Sequence, residues 1–225
     1  MTTLGNTTIF DSRTEPILKA HELACRRGGE WLFADMSFEI YPGQLVWLQG
    51  QNGRGKTSLL RLLVGLAEPD RGMLTWHGEP LRETPAFKEN LVYIGHTHGL
   101  KDDLTVTESL QFLARLHNRD DSPLSVASAL HTLAMQHRSQ VLVRTLSQGQ
   151  RRRVALARLA LERTPSLWVL DEPFDALDAD GIRVVNRLLL EHTARGGCVF
   201  LTSHLPLSLD ASLVRPLDFP HGRAP

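Results

Sequence analysis

Cysteine is nearly missing from these 225 residues: Cys25 and Cys198 lie far apart and form no CxxC or zinc-type spacing. That excludes a disulfide framework and fits thiols kept as small core residues in a reducing cytosol. Neither sign of charge is in excess, since 25 Lys+Arg face 25 Asp+Glu, so no nucleic-acid partner is expected. No apolar run approaches the roughly 18 residues needed to span a bilayer. The opening stretch MTTLGNTTIFDSRTEP has neither a basic start nor an apolar stretch. It reads as a disordered polar tail over 1–16, not as a secretory signal. Internal repeats and low-complexity tracts are lacking too.

What is present is an alternation of strand and helix signals. Hydrophobic residues make up 42%, enough for a packed core. WLFADMSFEI (31–40) alternates and stops at Tyr41-Pro42-Gly43, the mark of a strand and turn. LVWLQ (45–49), LVYIG (91–95), LWVLD (167–171) and CVFLTSH (198–204) are apolar strands, and GMLTWHGEPL is a short strand with a hairpin-like ending. Helical spacing covers 58–66, 178–193 and the stretch from Leu104 to about Gln136, with Leu110, Leu113 and Leu116 on one face. Strands without alternation, separated by helices, argue for a mainly parallel sheet. The all-helical middle argues for an inserted subdomain at about 97–148. One domain over 17–215 and a short tail over 216–225 are expected.

The sharpest motif is GQNGRGKT at 50–57, which matches the P-loop pattern after a strand and before a helix. Gly50, Gly53 and Gly55 let the backbone wrap phosphate oxygens, with Gln51, Asn52, Arg54 and Ser58 in the same cradle. Lys56 supplies a point charge and the Thr57 hydroxyl a ligand for Mg²⁺. LWVLDEP delivers Asp171 to a strand end, where a carboxylate holds the metal, and Glu172 follows as the group that polarises water. His204 ends another strand within reach of a terminal phosphate. Ser147-Gln148-Gly149-Gln150 opens the basic helix of RTLSQGQRRRVALARLAL, a ready seat for an anion. An ordinary N-cap explains Ser147 but not the Gly149-Gln150 pair.

In the order GQNGRGKT, LSQGQ, LWVLDEP, DALD (175–178) and His204, the chain resembles the ATP-binding-cassette (ABC) ATPases over roughly residues 17–210. The resemblance implies an α/β P-loop NTPase of the ABC type: a mainly parallel sheet with an N-terminal antiparallel part and an inserted helical subdomain. It implies ATP and Mg²⁺ as ligands, and a homodimer in which Ser147, Gly149 and Gln150 face the nucleotide on the other copy. Two departures stand out. Gln148 occupies a place that is usually glycine. Near Arg27, where the family has a ring to stack on adenine, there is no tyrosine, so Trp31 or an arginine face takes that part.

The run LVYIGHTHGLKDDLTVTESLQFLARLH narrows the resemblance to the ATP-binding subunits of cytochrome c maturation, the haem exporter ATPases. His96 stands where most cassettes carry a glutamine that contacts the metal or its water. Subunits of this kind work with membrane partners CcmB, CcmC and CcmD and are linked to release of the haem-loaded chaperone CcmE. A peripheral position on the cytoplasmic face of a bacterial inner membrane follows. The ATPase of another small exporter, or a soluble non-transport cassette, stays open as an alternative. The ten histidines form no CxxCH or paired-ligand pattern, so they read as core and surface residues.

Overall fold

The computed structural model describes residues 15–51 and 53–220. Asn52, and the expected tail apart from its last two positions, lie outside the described residues. The described chain enters through β1 (Leu18–Arg27) and β2 (Glu30–Ile40). It turns into β3 (Leu45–Gln49) and passes through the glycine loop into α1 (Lys56–Leu63). β4 (Arg71–Trp76), β5 (Glu79–Pro80) and the short α2 (Pro85–Glu89) lead to β6 (Leu91–Ile94). The helical middle holds α3 (Val106–Leu116), α4 (Pro123–Thr132) and α5 (Gln148–Leu156), the last prolonged by a 3₁₀ turn, Ala157–Leu161. β7 (Leu167–Leu170), α6 (Ala179–Ala194), β8 (Cys198–Thr202) and β9 (Val214–Asp218) follow.

Two sheets form. An antiparallel sheet has the order β2-β1-β4-β5, and a parallel sheet the order β6-β7-β8-β3-β9. Successive residues of a strand point to opposite faces, and here both faces are covered. Val46, Leu48, Leu167, Val169 and Phe200 pack toward α1 and the antiparallel sheet. Leu45, Val92, Ile94, Trp168, Leu170 and Leu201 pack toward α3, α4, α5 and α6. Two-sided burial is why these strands read as unbroken apolar runs.

Two strands were not legible. β1 (LKAHELACRR) mixes small and polar residues, and its register shifts around Glu22, whose φ is 48°. A bulged strand has no clean period of two. β9 carries Pro216, which demotes a strand in a sequence reading but is tolerated on a sheet edge, where β9 lies. The expected tail boundary at 216 therefore falls inside a paired strand, and the next residue, Phe219, is buried. No helix among the described residues is long and apolar enough to cross a membrane.

Candidate active site

The carboxyl ends of β3, β6, β7 and β8 converge, as parallel sheets of this kind require for a ligand site. They carry the glycine loop, His96, Asp171-Glu172 and His204 respectively. Lys56, Thr57, Asp171, Glu172, His96 and His204 line one cavity of about 330 Å³, together with Arg27, Leu32, Gly53, Gly55, Ser58 and Asp175. Of the sequence-derived residues, Gly53, Gly55, Lys56, Thr57, Ser58 and the four at the strand ends are thus brought together, while Gly50, Gln51 and Arg54 do not line the cavity.

Sterics dictate the loop glycines. Gly50 has φ 149° and a Cβ there would sit 2.8 Å from Phe219 Cβ. Gly55, the left-handed N-cap of α1 at φ 111°, would place a Cβ 3.1 Å from Leu32 Cβ. Lys56 is buried, and its Nζ donates to the Gly50 carbonyl at 2.7 Å. Gln51 Oε1 accepts from Arg54 Nη2 at 3.2 Å, so these two brace the exposed lip of the loop.

Across the cavity, Asp171 is buried and doubly held. Its Oδ2 accepts from Thr57 Oγ1 at 3.1 Å and its Oδ1 from Thr202 Oγ1 at 2.8 Å. Glu172 adopts φ 50°, a left-handed backbone that costs a non-glycine residue about 1–2 kcal/mol. Its N–H donates to Thr202 Oγ1 at 2.9 Å. Its carboxylate accepts from the His204 N–H at 2.8 Å and lies 3.1 Å from His204 Nε2. Burial raises the Glu172 pKa, opposed by the hydrogen bond and charge of His204. A carboxylate so placed accepts a proton more readily than a surface glutamate, which suits a general base.

The Ser147–Gln150 stretch sits elsewhere. Ser147 caps α5 in a reciprocal capping box: its Oγ accepts from the Gln150 N–H, and Gln150 Oε1 accepts from the Ser147 N–H. Ser147 and Gln148 are exposed, and none of Ser147, Gly149 and Gln150 lines the cavity. Gly149 has a local reason as well, because a Cβ there would lie 2.6 Å from the Ala176 carbonyl oxygen. Gln148 points its side chain to solvent at no steric cost visible in the fold.

Several functional neighbours escaped the sequence. Thr202 binds both Asp171 and Glu172, yet it looks like one more residue of an apolar strand. Phe219 supports Gly50 from a position that reads as tail. Arg27 and Leu32 reach the cavity. Trp31 is occupied by Arg26 and Arg71, whose guanidinium carbons lie 3.8 Å and 5.0 Å from its ring centroid. Of the two stacking candidates the arginine lines the site and the tryptophan does not.

Among the histidines, His96 lines the cavity, while His98 sits back with Nδ1 3.3 Å from Arg152 Nη1. Burial, and next Arg152, push the His98 pKa down to about 4. His192 is fully buried, stacked on Trp168 at 3.8 Å, with Nε2 2.8 Å from the Ser166 carbonyl. Among the described residues no cluster of three or more His, Cys, Asp or Glu is arranged to hold a metal.

Comparison with known proteins agrees with this geometry. The family described as ABC transporter matches residues 33–175. The cytochrome c biogenesis ATP-binding export protein CcmA of Escherichia coli (strain K12) is 42% identical over 209 residues, 92% of this chain and 99% of that protein. The protein of the same name from Shigella flexneri is 41% identical over the same shares. Among solved structures, the ATP-binding subunit of an ABC transporter superposes with a TM-score of 0.75 at 27% identity, covering 84% of this chain and 80% of that one. A putative ABC transporter ATP-binding protein from Pyrococcus furiosus gives 0.76 at 25% identity, covering 89% and 96%.

Proposed function

The chain belongs to the ABC transporter family, and from that membership we propose that it is the ATP-hydrolysing subunit of a membrane complex for cytochrome c maturation. The observation that carries this is one cavity joining a P-loop lysine, an Asp171–Thr57 pair and a Glu172–His204 pair, in a chain 42% identical to a cytochrome c biogenesis export ATPase.

Each residue then has a task. The loop N–H groups and Lys56 take the phosphates of ATP and offset their charge. Glu172 accepts a proton from water as its oxygen bonds to the terminal phosphorus. The bond from that phosphorus to the bridging oxygen breaks, and its electron pair leaves with ADP. His204 hydrogen-bonds Glu172 and reaches toward the transferred phosphoryl group. Thr57 Oγ1 and Asp171 Oδ2, 3.1 Å apart, are hard oxygen ligands of the kind Mg²⁺ takes alongside phosphates and would hold it, with His96 lining the same cavity. When bound, Mg²⁺ would supply charge neutralisation at the phosphates.

The exposed α5 N-terminus suits an anion on a second copy of this chain, which makes a homodimer with two composite sites the natural assembly. Membrane subunits of the CcmB, CcmC and CcmD type, a link to CcmE and a place on the cytoplasmic face of the inner membrane complete the reading. Co-expression tests it. The tagged chain should carry those membrane subunits through purification, and Glu172→Gln should abolish holocytochrome c formation in cells lacking the parent chain. Parental holocytochrome c levels with Glu172→Gln would contradict the proposal.

A further inference from the structure

Arg152 lies in α5 and is only 2% exposed, yet its hydrogen bonds run to the floor of the active site. Nη1 donates to the Gly95 carbonyl, next to His96, and meets His98 Nδ1, both at 3.3 Å. Nη2 donates to the Asp171 carbonyl at 2.6 Å and to the Glu172 carbonyl. Nε is buried and finds no acceptor among the described residues. A guanidinium placed for its own comfort would fill that donor. This one gives it up while gripping the two carbonyls that bracket Glu172. With the Glu172 N–H held by Thr202 Oγ1, the peptide planes on both sides of the residue are pinned.

We propose that Arg152 is a positioning residue for hydrolysis: by fixing the carbonyls on either side of Glu172 it locks that residue's left-handed backbone and so aims its carboxylate. The inference rests on the reading of Glu172 as the water activator. Arg152 and the Ser147–Gly149 turn share one helix, so the same grip ties the base to the seating of α5. The planar fork is essential, because a lysine ammonium offers a point charge with no fixed pair of donors.

The test is kinetic, on the full chain in its assembled complex. Arg152→Lys keeps the charge and loses the fork, whereas Arg152→Gln loses both. Each should lower kcat about tenfold to a hundredfold while KM for ATP stays within about twofold. In a Glu172→Gln background, adding Arg152→Lys should change the residual single-turnover rate by less than about twofold, since a residue acting through Glu172 has nothing left to aim. Arg158→Lys is the structural control: that arginine is also buried and donates to the Tyr93 carbonyl at 3.3 Å. It should lower Tm and leave kcat and KM of the folded protein alone. If Arg152→Gln does not fold, the lysine variant decides. A parental kcat in Arg152→Lys, a loss repeated in full in the Glu172→Gln background, or a raised KM with unchanged kcat would each overturn the proposal. Parental turnover by Glu172→Gln would overturn the water-activator reading and this proposal with it. An inactive Glu172→Gln beside a fully active Arg152→Lys overturns this proposal alone.

Discussion

Glu172 combines a strained backbone with a buried carboxylate, and in the proposed mechanism both features serve one proton transfer. Glu172→Gln keeps the shape and removes the base, so ATP binding should persist while turnover falls by about 10² to 10⁴. Lys56→Ala should instead weaken nucleotide binding, because Nζ is the buried cation of the loop. Equilibrium binding and steady-state hydrolysis, measured on both variants, separate the two roles. A different residue contributes to acid stability. Burial pushes the His192 pKa down to about 4, below the unfolded value near about 6.5. Across that window the unfolded chain takes up a proton that native His192 refuses, so stability is lost as pH falls from about 6.5 toward 4. Tm should therefore drop between pH 7 and 5, and His192→Phe, which keeps a ring against Trp168, should make the drop shallower. An equally steep drop in that variant would remove His192 from the account. Glu172 was legible because its motif is local in sequence. His192 was not, since nothing in LLLEHTA distinguishes a stacked core histidine from a surface one.

At the scale of elements, four of the five parallel strands and the antiparallel β2 and β4 were legible, while β1 and β9 were not. Two-sided burial leaves an unmistakable apolar run in LWVL and CVFLT. β1 hides behind its bulge and β9 behind Pro216, and these are the strands that bring Arg27 and Phe219 to the P-loop. Thr202 and Arg152 share the same difficulty, because their partners are 19 to 57 residues away and only the fold brings them together. The α5 start offers a test of packing between elements. Gly149→Ala places a methyl 2.6 Å from the Ala176 carbonyl oxygen, on a backbone that cannot yield as a side-chain tip would. The expected cost is about 1–3 kcal/mol, with the α5 N-terminus displaced from the 175–178 loop. Denaturant unfolding gives the energy. Unchanged stability would mean that this contact is looser than the geometry states.

For the whole molecule, the arrangement is two half-sites on opposite duties. The cavity gathers the phosphate loop, Asp171, Glu172 and His204, while Ser147, Gly149 and Gln150 stay outside it with an exposed helix N-terminus. In the proposed two-fold dimer that seat would meet the cavity of the other copy, completing both sites. Mixing two inactive variants tests this most directly. Lys56→Ala disables the phosphate loop, and Ser147→Arg blocks the seat offered to the partner. In a mixed dimer both lesions fall at one composite site and the other site is intact. If one intact site suffices, an equimolar mixture should regain about a quarter of parental ATPase activity, since about half the dimers are mixed and each holds one working site. No activity at any mixing ratio, with mixed dimers shown to form, would contradict the composite site.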